Sequence, residues 1–383
     1  MNFERFDTTE ALALFATQVQ RFLDEQLTHE VRSESDLTRD EHHPGFFKQL
    51  GARGWLIPEA STSEGGANLS WEQIEILDLE LTRRHAPVVN QSTSRMTLPA
   101  IRRYASDAVR DRIIREVTSG ETALTLGYTE PSGGSDIAHV KTRALRQEDG
   151  SWIINGAKVY TTGAHHSRYV FLLANTDPQA PKGRGLTMFA LPLGHEGVEI
   201  HPIETLGERT NSVFFSDVRL SDDYRLGDVN DGWRVLQGPL DAEHGVGMAK
   251  GQRSHIDIAV LYARRLANAL AAAVDWVAEK PSERLENPTV LRTLGETVLR
   301  IESGLSLDRL EGRVNSAQHY INGTNALVEL AAPESLVADD SPGGRLQRAH
   351  RASQVSATYG GTVEVFRNLI ARQLGLPRPA YTQ

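Results

Sequence analysis

Apolar residues in the first third of the chain recur three and four positions apart. "ALALFATQVQRFL" and "WEQIEILDLELTRR" are the clearest cases, and that spacing predicts amphipathic helices punctuated by Gly and Pro at "EGGANLS" and "HAPV". From about residue 121 to 225 the period shortens. "SWIINGAKVYTTG", "YVFLLANT", "GLTMFALPL", "VEIHPIE" and "NSVFFSDVRL" are short, rich in β-branched and aromatic residues, and separated by turn clusters; they predict a compact antiparallel β domain. After "GDVNDGW" the helical period returns in "IDIAVLYARRLANALAAAVDWV", "TVLRTLGETVLRIESGLSLDRLEGRV" and "ASQVSATYGGTVEVFRNLIARQL", with breaks at Pro281, Pro288 and Pro342. The expectation is an α+β protein: a helical domain over 1–120, a β domain over 121–228 and a helical bundle over 229–383.

Composition narrows the chemistry. The 383 residues include no cysteine, which removes disulfides, zinc-thiolate and iron-sulfur sites and thiol nucleophiles. A net charge of -9, with basic residues scattered, argues against a nucleic-acid partner. The start, "MNFERFDTTEALALF", lacks a basic region followed by a long apolar run. No stretch resembles a membrane span, so the expectation is a cytoplasmic protein.

The stretch "LGYTEPSGGSD", Leu126 to Asp136, is rich in turn residues. It lacks the Lys and the spacing of a P-loop, and its adjacent Gly133 and Gly134 do not make a dinucleotide fingerprint. A plain surface turn is the simplest reading of this stretch by itself. About twenty residues downstream, however, "NGAKVYTTGAHHSRYVFLLANTD" puts Tyr160, Thr161 and Thr162 at a strand end in the same domain. The adjacent His165 and His166 would face opposite ways on a strand, and no acidic cluster accompanies them, so no metal site is expected.

Together these motifs resemble those of the acyl-CoA dehydrogenases. Thr129 to Asp136 is similar to the family's T/S-E-P-x-x-G-S-D motif, and Asn155 to Thr162 to its N-G-x-K-x-W/Y-x-T/S motif. The resemblance extends to the closing "YGGTVEVFRNLIARQLGLPR". It implies the family fold, with an N-terminal helical domain, a barrel-like β domain and a C-terminal four-helix bundle, and it implies FAD as cofactor. By resemblance, the backbone and hydroxyl of Thr129 face the polar edge of the isoalloxazine, Thr162 lies near its N5, Tyr160 packs on the ring, Gly134 with Ser135 borders flavin and acyl-CoA, and Tyr128 is a further cofactor-binding residue. Thr362 and Glu364 are implied as further FAD contacts.

Desaturating a thioester requires a base for the α proton and donors for the developing enolate oxygen. Many relatives use the Glu of a Y-E-G-T motif, which here reads Tyr359, Gly360, Gly361, Thr362. Other branches, including some steroid-degrading enzymes, place the Glu on an earlier helix, where this chain has "PLDAEHG" and Glu243. Leu236, Leu240 and Glu243 share a helical face, with Gly238 and Pro239 expected to start or kink that helix. By resemblance, the Gly360 N–H, with the flavin ribityl chain, would hold the thioester oxygen. The family's R-x-x-F-G and Q-x-x-G-G grips on FAD are absent; "EKPSERLENP" and "LAAPESLVADD" stand in their places.

Two functions lead; a third, another flavin oxidation such as nitroalkane or N-hydroxylation chemistry, is weaker because such relatives use bases other than the one implied at Glu243. One is an FAD-dependent acyl-CoA dehydrogenase acting on a bulky or branched acyl-CoA, reoxidised by electron-transfer flavoprotein, as a homodimer, a homotetramer or a heterotetramer with a second dehydrogenase-like subunit. The other is a non-catalytic or FAD-poor partner subunit of such a heteromer.

Overall fold

A computed structural model of the protein describes residues 9–32, 41–207, 209–243, 257–307 and 309–376, except the side chains of Glu243 and Arg309. The chain forms two compact units, one over Thr8–Ala242 and one over Glu243–Gln383.

In the first unit, helix α1 (Glu10–Gln26) buries Phe15, Val19, Phe22 and Leu23, spaced for one helical stripe. Phe22 meets Trp55 edge-on at 5.1 Å between ring centroids, just beyond α2 (Pro44–Ala52). Helix α3 (Trp71–Arg83) begins with a reciprocal Ser70/Gln73 capping box. Helices α4 (Gln91–Tyr104) and α5 (Asp107–Thr118) lead into the sheet.

The strands are β1 (Leu124–Gly127), β2 (Arg143–Arg146), β3 (Trp152–Lys158), β4 (Tyr169–Asn175), β5 (Leu186–Pro192), β6 (Val198–Ile203), β7 (Thr210–Leu220) and β8 (Arg225–Leu226). They run in the order β6-β7-β3-β2-β4-β5-β8, with β1 on β4. Most pairings are antiparallel, but β1 runs parallel to β4, as does the one register point between β2 and β4. The long connection through β2 and β3 permits that parallel return. Leu172, Phe189, Val213 and Trp152 are among the residues of the buried core. Leu124 N donates to Ser94 Oγ at 2.9 Å, tying α4 to β1. Helix α6 (Gly232–Glu243) completes this part of the chain. It does not start at Gly238 or Pro239: it begins at Gly232 and includes Pro239, with Leu236 buried.

In the second unit, α7 (Ile258–Glu279), α9 (Pro288–Ser306), α10 (Arg309–Leu330) and α11 (Pro342–Ser353) pack as a bundle. Short α8 (Pro281–Leu285) bridges α7 and α9, and α12 (Val363–Gln373) packs on α10. Leu266, Ile301 and Tyr320 fill one core cluster, and Trp276, Leu327 and Leu346 another. The expected helical, β, helical order is the observed one. Among the described residues no helix is long and apolar enough to cross a membrane.

Candidate active site

The two motif segments lie side by side because the backbone joins them. Val159 N donates to Thr129 O at 3.0 Å, and Glu130 and Gly133 exchange both backbone hydrogen bonds across a tight turn. Beneath that turn, Glu130 Oε1 accepts from Lys158 Nζ at 2.8 Å and from Thr142 N at 2.9 Å, while Oε2 accepts from Lys141 N at 2.7 Å. Lys158 is fully buried and Glu130 nearly so. Burial raises the Glu130 carboxyl, but Lys158 and the two amides outweigh it and hold the group below its ordinary value. Burial likewise pushes Lys158 down to about 8, against the pull of Glu130. Sequence reasoning assigned neither residue. The available signal was the pairing of one acid and one base, each inside one of two co-occurring motifs.

Above this clamp the chain presents the expected residues. Tyr160 adopts a left-handed φ of 56° and its side chain is 65% exposed. Thr161 exchanges hydrogen bonds with Asn211, its N–H donating to Asn211 O at 2.9 Å and its carbonyl accepting from Nδ2 at 3.0 Å. Thr161 Oγ1 and Asn211 Oδ1 are buried with no partner among the described residues. Thr162 is half-buried; its carbonyl accepts from Thr125 Oγ1 at 2.7 Å and Asn90 Nδ2 at 3.0 Å, and its hydroxyl pairs with Thr210 Oγ1 at 3.0 Å. Gly134 leans on Thr129, whose Cγ2 would lie 2.9 Å from any Cβ at 134. Tyr128 is half-buried and meets Phe171 edge-on at 6.2 Å, and Ser135 is exposed. The structure thus brings Tyr128, Thr129, Gly134, Ser135, Tyr160 and Thr162 to one edge of the β domain.

Other motif letters shape the backbone. Asn155 pairs with Asp217 through both its amide atoms at 2.9 Å. Gly156 lies at the register shift between β3 and β7, where a Cβ would be 2.6 Å from Thr142 Oγ1.

His165 and His166 do not lie on a strand. They occupy a turn after Gly163, whose φ is 70°, with His166 N donating to Gly163 O. Their rings therefore touch, 4.0 Å apart, and His166 stacks on His42 at 4.4 Å. Among the described residues, no group of three His, Cys, Asp or Glu could hold a metal ion.

In the second unit, Gly360 and Gly361 both have left-handed φ, 64° and 92°. Buried Arg313 donates through Nη2 to the carbonyls of Tyr359 and Gly361, the latter at 3.1 Å, and so holds the peptide that enters Gly360 and the one that leaves Gly361. Thr362 caps α12 by accepting from Val365 N at 3.3 Å, and Glu364 stands exposed in its first turn. Arg284, within "EKPSERLENP", is consumed internally: it is buried, donates to Trp276 O and ion-pairs with Glu279 and Glu334 at 3.1 Å. Glu243 is the last residue of α6; its side chain, and His244 after it, lie outside the described residues.

The edge at 128–135 and 160–162 fits FAD. It offers an exposed aromatic ring, a loop kept small by Gly134, a threonine hydroxyl, and buried oxygens at Thr161 and Asn211 with hydrogen-bonding capacity in hand.

Comparison with known proteins matches residues 9–121 to the acyl-CoA dehydrogenase N-terminal domain and 125–222 to the acyl-CoA dehydrogenase middle domain. The chain is 31% identical over 353 residues to acyl-CoA dehydrogenase IpdE1 of Mycobacterium tuberculosis, covering 89% of each. It is 27% identical over 352 residues to acyl-CoA dehydrogenase FadE26 of the same organism, covering 86% of this chain and 87% of that one. Among solved structures it superposes with a TM-score of 0.82 on the ChsE4-ChsE5 complex from Mycobacterium tuberculosis, at 24% identity, covering 98% of this chain and 100% of that one. The Tcur3481-Tcur3483 steroid ACAD gives a TM-score of 0.83 at the same identity and coverage.

Proposed function

The chain belongs to the acyl-CoA dehydrogenase family, and from that premise we propose that it desaturates a bulky acyl-CoA between the α and β carbons using FAD. The observation that carries this reading is the joining of the two motif segments by Glu130 and Lys158, which leaves one edge of small residues, hydroxyls and an exposed tyrosine. Tyr128, Thr129, Gly134, Ser135, Tyr160 and Thr162 are the residues proposed to hold the flavin ring, with Thr362 and Glu364 as further FAD contacts. When bound, FAD supplies the acceptor for the β hydride.

The remaining steps fall to the chain itself. The Glu243 carboxylate takes the α proton, and the Gly360 N–H donates to the thioester oxygen as negative charge develops there. The peptide geometry that Arg313 imposes around Gly360 supports that second role. Electron-transfer flavoprotein is the proposed redox partner, and the cytoplasm the proposed setting. Similarity to the steroid ACAD and to the ChsE4-ChsE5 complex supports a bulky acyl group and a second dehydrogenase-like subunit. The internal engagement of Arg284 supports an FAD site that another subunit completes.

The test is the visible spectrum of the purified protein, with and without added FAD, and its bleaching by a panel of acyl-CoAs. We expect a yellow protein whose bleaching slows by about 10²–10⁴-fold in Glu243→Gln, the usual range for loss of a general base. Unchanged bleaching in that variant would remove Glu243 from the mechanism. A colourless, inert protein would overturn the self-sufficient dehydrogenase and leave the partner subunit of a heteromer.

A further inference from the structure

The hydroxyls of Thr162 and Thr210 form a pair in which either can be the donor, with their Oγ1 atoms 3.0 Å apart. Thr210 opens β7 and is 6% exposed; Thr162 is half-buried in the turn after β3. Neither hydroxyl has another hydrogen-bond partner among the described residues.

Tying the turn to its surroundings does not require this pair. Thr161 N donates to Asn211 O at 2.9 Å, and Asn211 Nδ2 to Thr161 O at 3.0 Å. Thr125 Oγ1 and Asn90 Nδ2 hold Thr162 O at 2.7 and 3.0 Å. What the pair adds is reversibility. A threonine hydroxyl carries one proton and two acceptor lone pairs, and it rotates to suit its partner. Two such groups keep their mutual hydrogen bond whichever way the protons point, whereas a fixed donor or a fixed acceptor at 210 would serve one direction only. When Thr210 donates, the Thr162 proton is free to point outward; when Thr210 accepts, Thr162 offers a lone pair instead.

A flavin calls on both directions. With its hydroxyl at the ring's N5, Thr162 faces an acceptor before the β hydride arrives there and an N–H donor afterwards. We propose that Thr210 is the positioning residue that lets the Thr162 hydroxyl meet both states, donating to it beside the oxidised ring and accepting from it beside the reduced one. The inference rests on the dehydrogenase reading and on the flavin contact assigned there to Thr162. The hydride brings both electrons and the hydrogen; each threonine keeps its own proton, and only the two O–H bonds turn. Without the Thr210 hydroxyl the oxidised ring still accepts from Thr162, but beside the reduced ring the Thr162 proton has no acceptor. An unpaired donor costs more than an oxygen lacking one of its donors, so the reduced state loses more.

The experiment compares FAD-loaded wild type, Thr210→Val and Thr210→Ser. Val keeps the β-branched shape that suits a strand, and Ser keeps the hydroxyl. The potential of the bound flavin is read by spectroelectrochemistry, and affinities for FAD and 5-deaza-FAD by calorimetry. In Thr210→Val, binding of reduced relative to oxidised FAD should fall by about 10-fold, the worth of roughly one hydrogen bond, which lowers a two-electron potential by about 30 mV. The deaza ring has C–H in place of N5 and offers no acceptor, so its affinity should fall by about 10-fold in the same variant while that of oxidised FAD changes little. Thr210→Ser should restore both. A purely structural role for Thr210 predicts equal losses for the two flavins and an unmoved potential. That result in a folded, FAD-loaded variant would overturn the proposal and leave the dehydrogenase reading standing, as would a shift that Thr210→Ser does not reverse. Thr210→Ala takes the place of Val should Val prevent folding, with thermal melts reporting stability separately. A wild type that takes up no FAD is colourless, and would overturn the proposal together with the self-sufficient dehydrogenase.

Discussion

Lys158 Nζ lies 2.8 Å from Glu130 Oε1, and both side chains are almost wholly removed from solvent. This ion pair helps set the relative position of the loop that carries Thr129 and the turn that carries Tyr160 and Thr162. It acts together with the hydrogen bond from Val159 N to Thr129 O.

Breaking a buried pair from one side leaves an uncompensated charge. We expect Glu130→Gln and Lys158→Met each to destabilise the first unit by about 3–5 kcal/mol in urea titrations, and each to weaken FAD retention. Glu130→Gln combined with Lys158→Met should cost less than the sum of the singles, because it strands no charge. A strictly additive double variant would argue against direct coupling.

The glycines of the two motif segments should not be equivalent. Gly163 has a φ of 70° and any Cβ there would overlap Asn90 Nδ2, which holds Thr162 O; Gly133 has nothing within 4 Å of its Cβ position. Gly163→Ala should therefore lower stability by about 1–3 kcal/mol, as strained left-handed positions do, while Gly133→Ala should change it by less than about 0.5 kcal/mol. Thermal melts of the two variants make the comparison.

Arg313 should govern the backbone at Gly360. Replacing it with Met removes charge-assisted donors from the carbonyls of Tyr359 and Gly361, at a cost of about 2–4 kcal/mol to the second unit. Hydrogen exchange of the amides at 360–362 should accelerate in the variant. Unchanged exchange would show that the two glycines hold their conformation without it.

Acid should weaken the β domain at a defined contact. The Arg225 hydrogen bond, opposed by burial and aided by Trp152 Nε1, holds Asp222 at about 2 rather than 3.8. A carboxylate depressed in the fold stabilises it above its unfolded value, and that contribution is lost as pH falls through about 2. Asp222 is partly exposed, so screening reduces the effect to roughly 1 kcal/mol. The stability gap between wild type and Asp222→Asn should be open at pH 5 and close toward pH 2.

By itself the sequence determined the order of elements and the identity of the two motifs. Both are local properties: a three-to-four period or a turn cluster is visible within a dozen residues, as at Phe15, Val19 and Phe22 on α1. The small, hydroxyl-rich and aromatic character of 128–135 and 160–162 was legible for the same reason. Tertiary structure alone decided which distant groups meet. Nothing local directs Lys158 to Glu130, stacks His166 on His42, sets β1 parallel to β4, or commits Arg284 to Glu334. Those outcomes depend on packing between segments far apart in the chain, where burial makes an unpaired charge or backbone group costly and leaves few arrangements that satisfy every one.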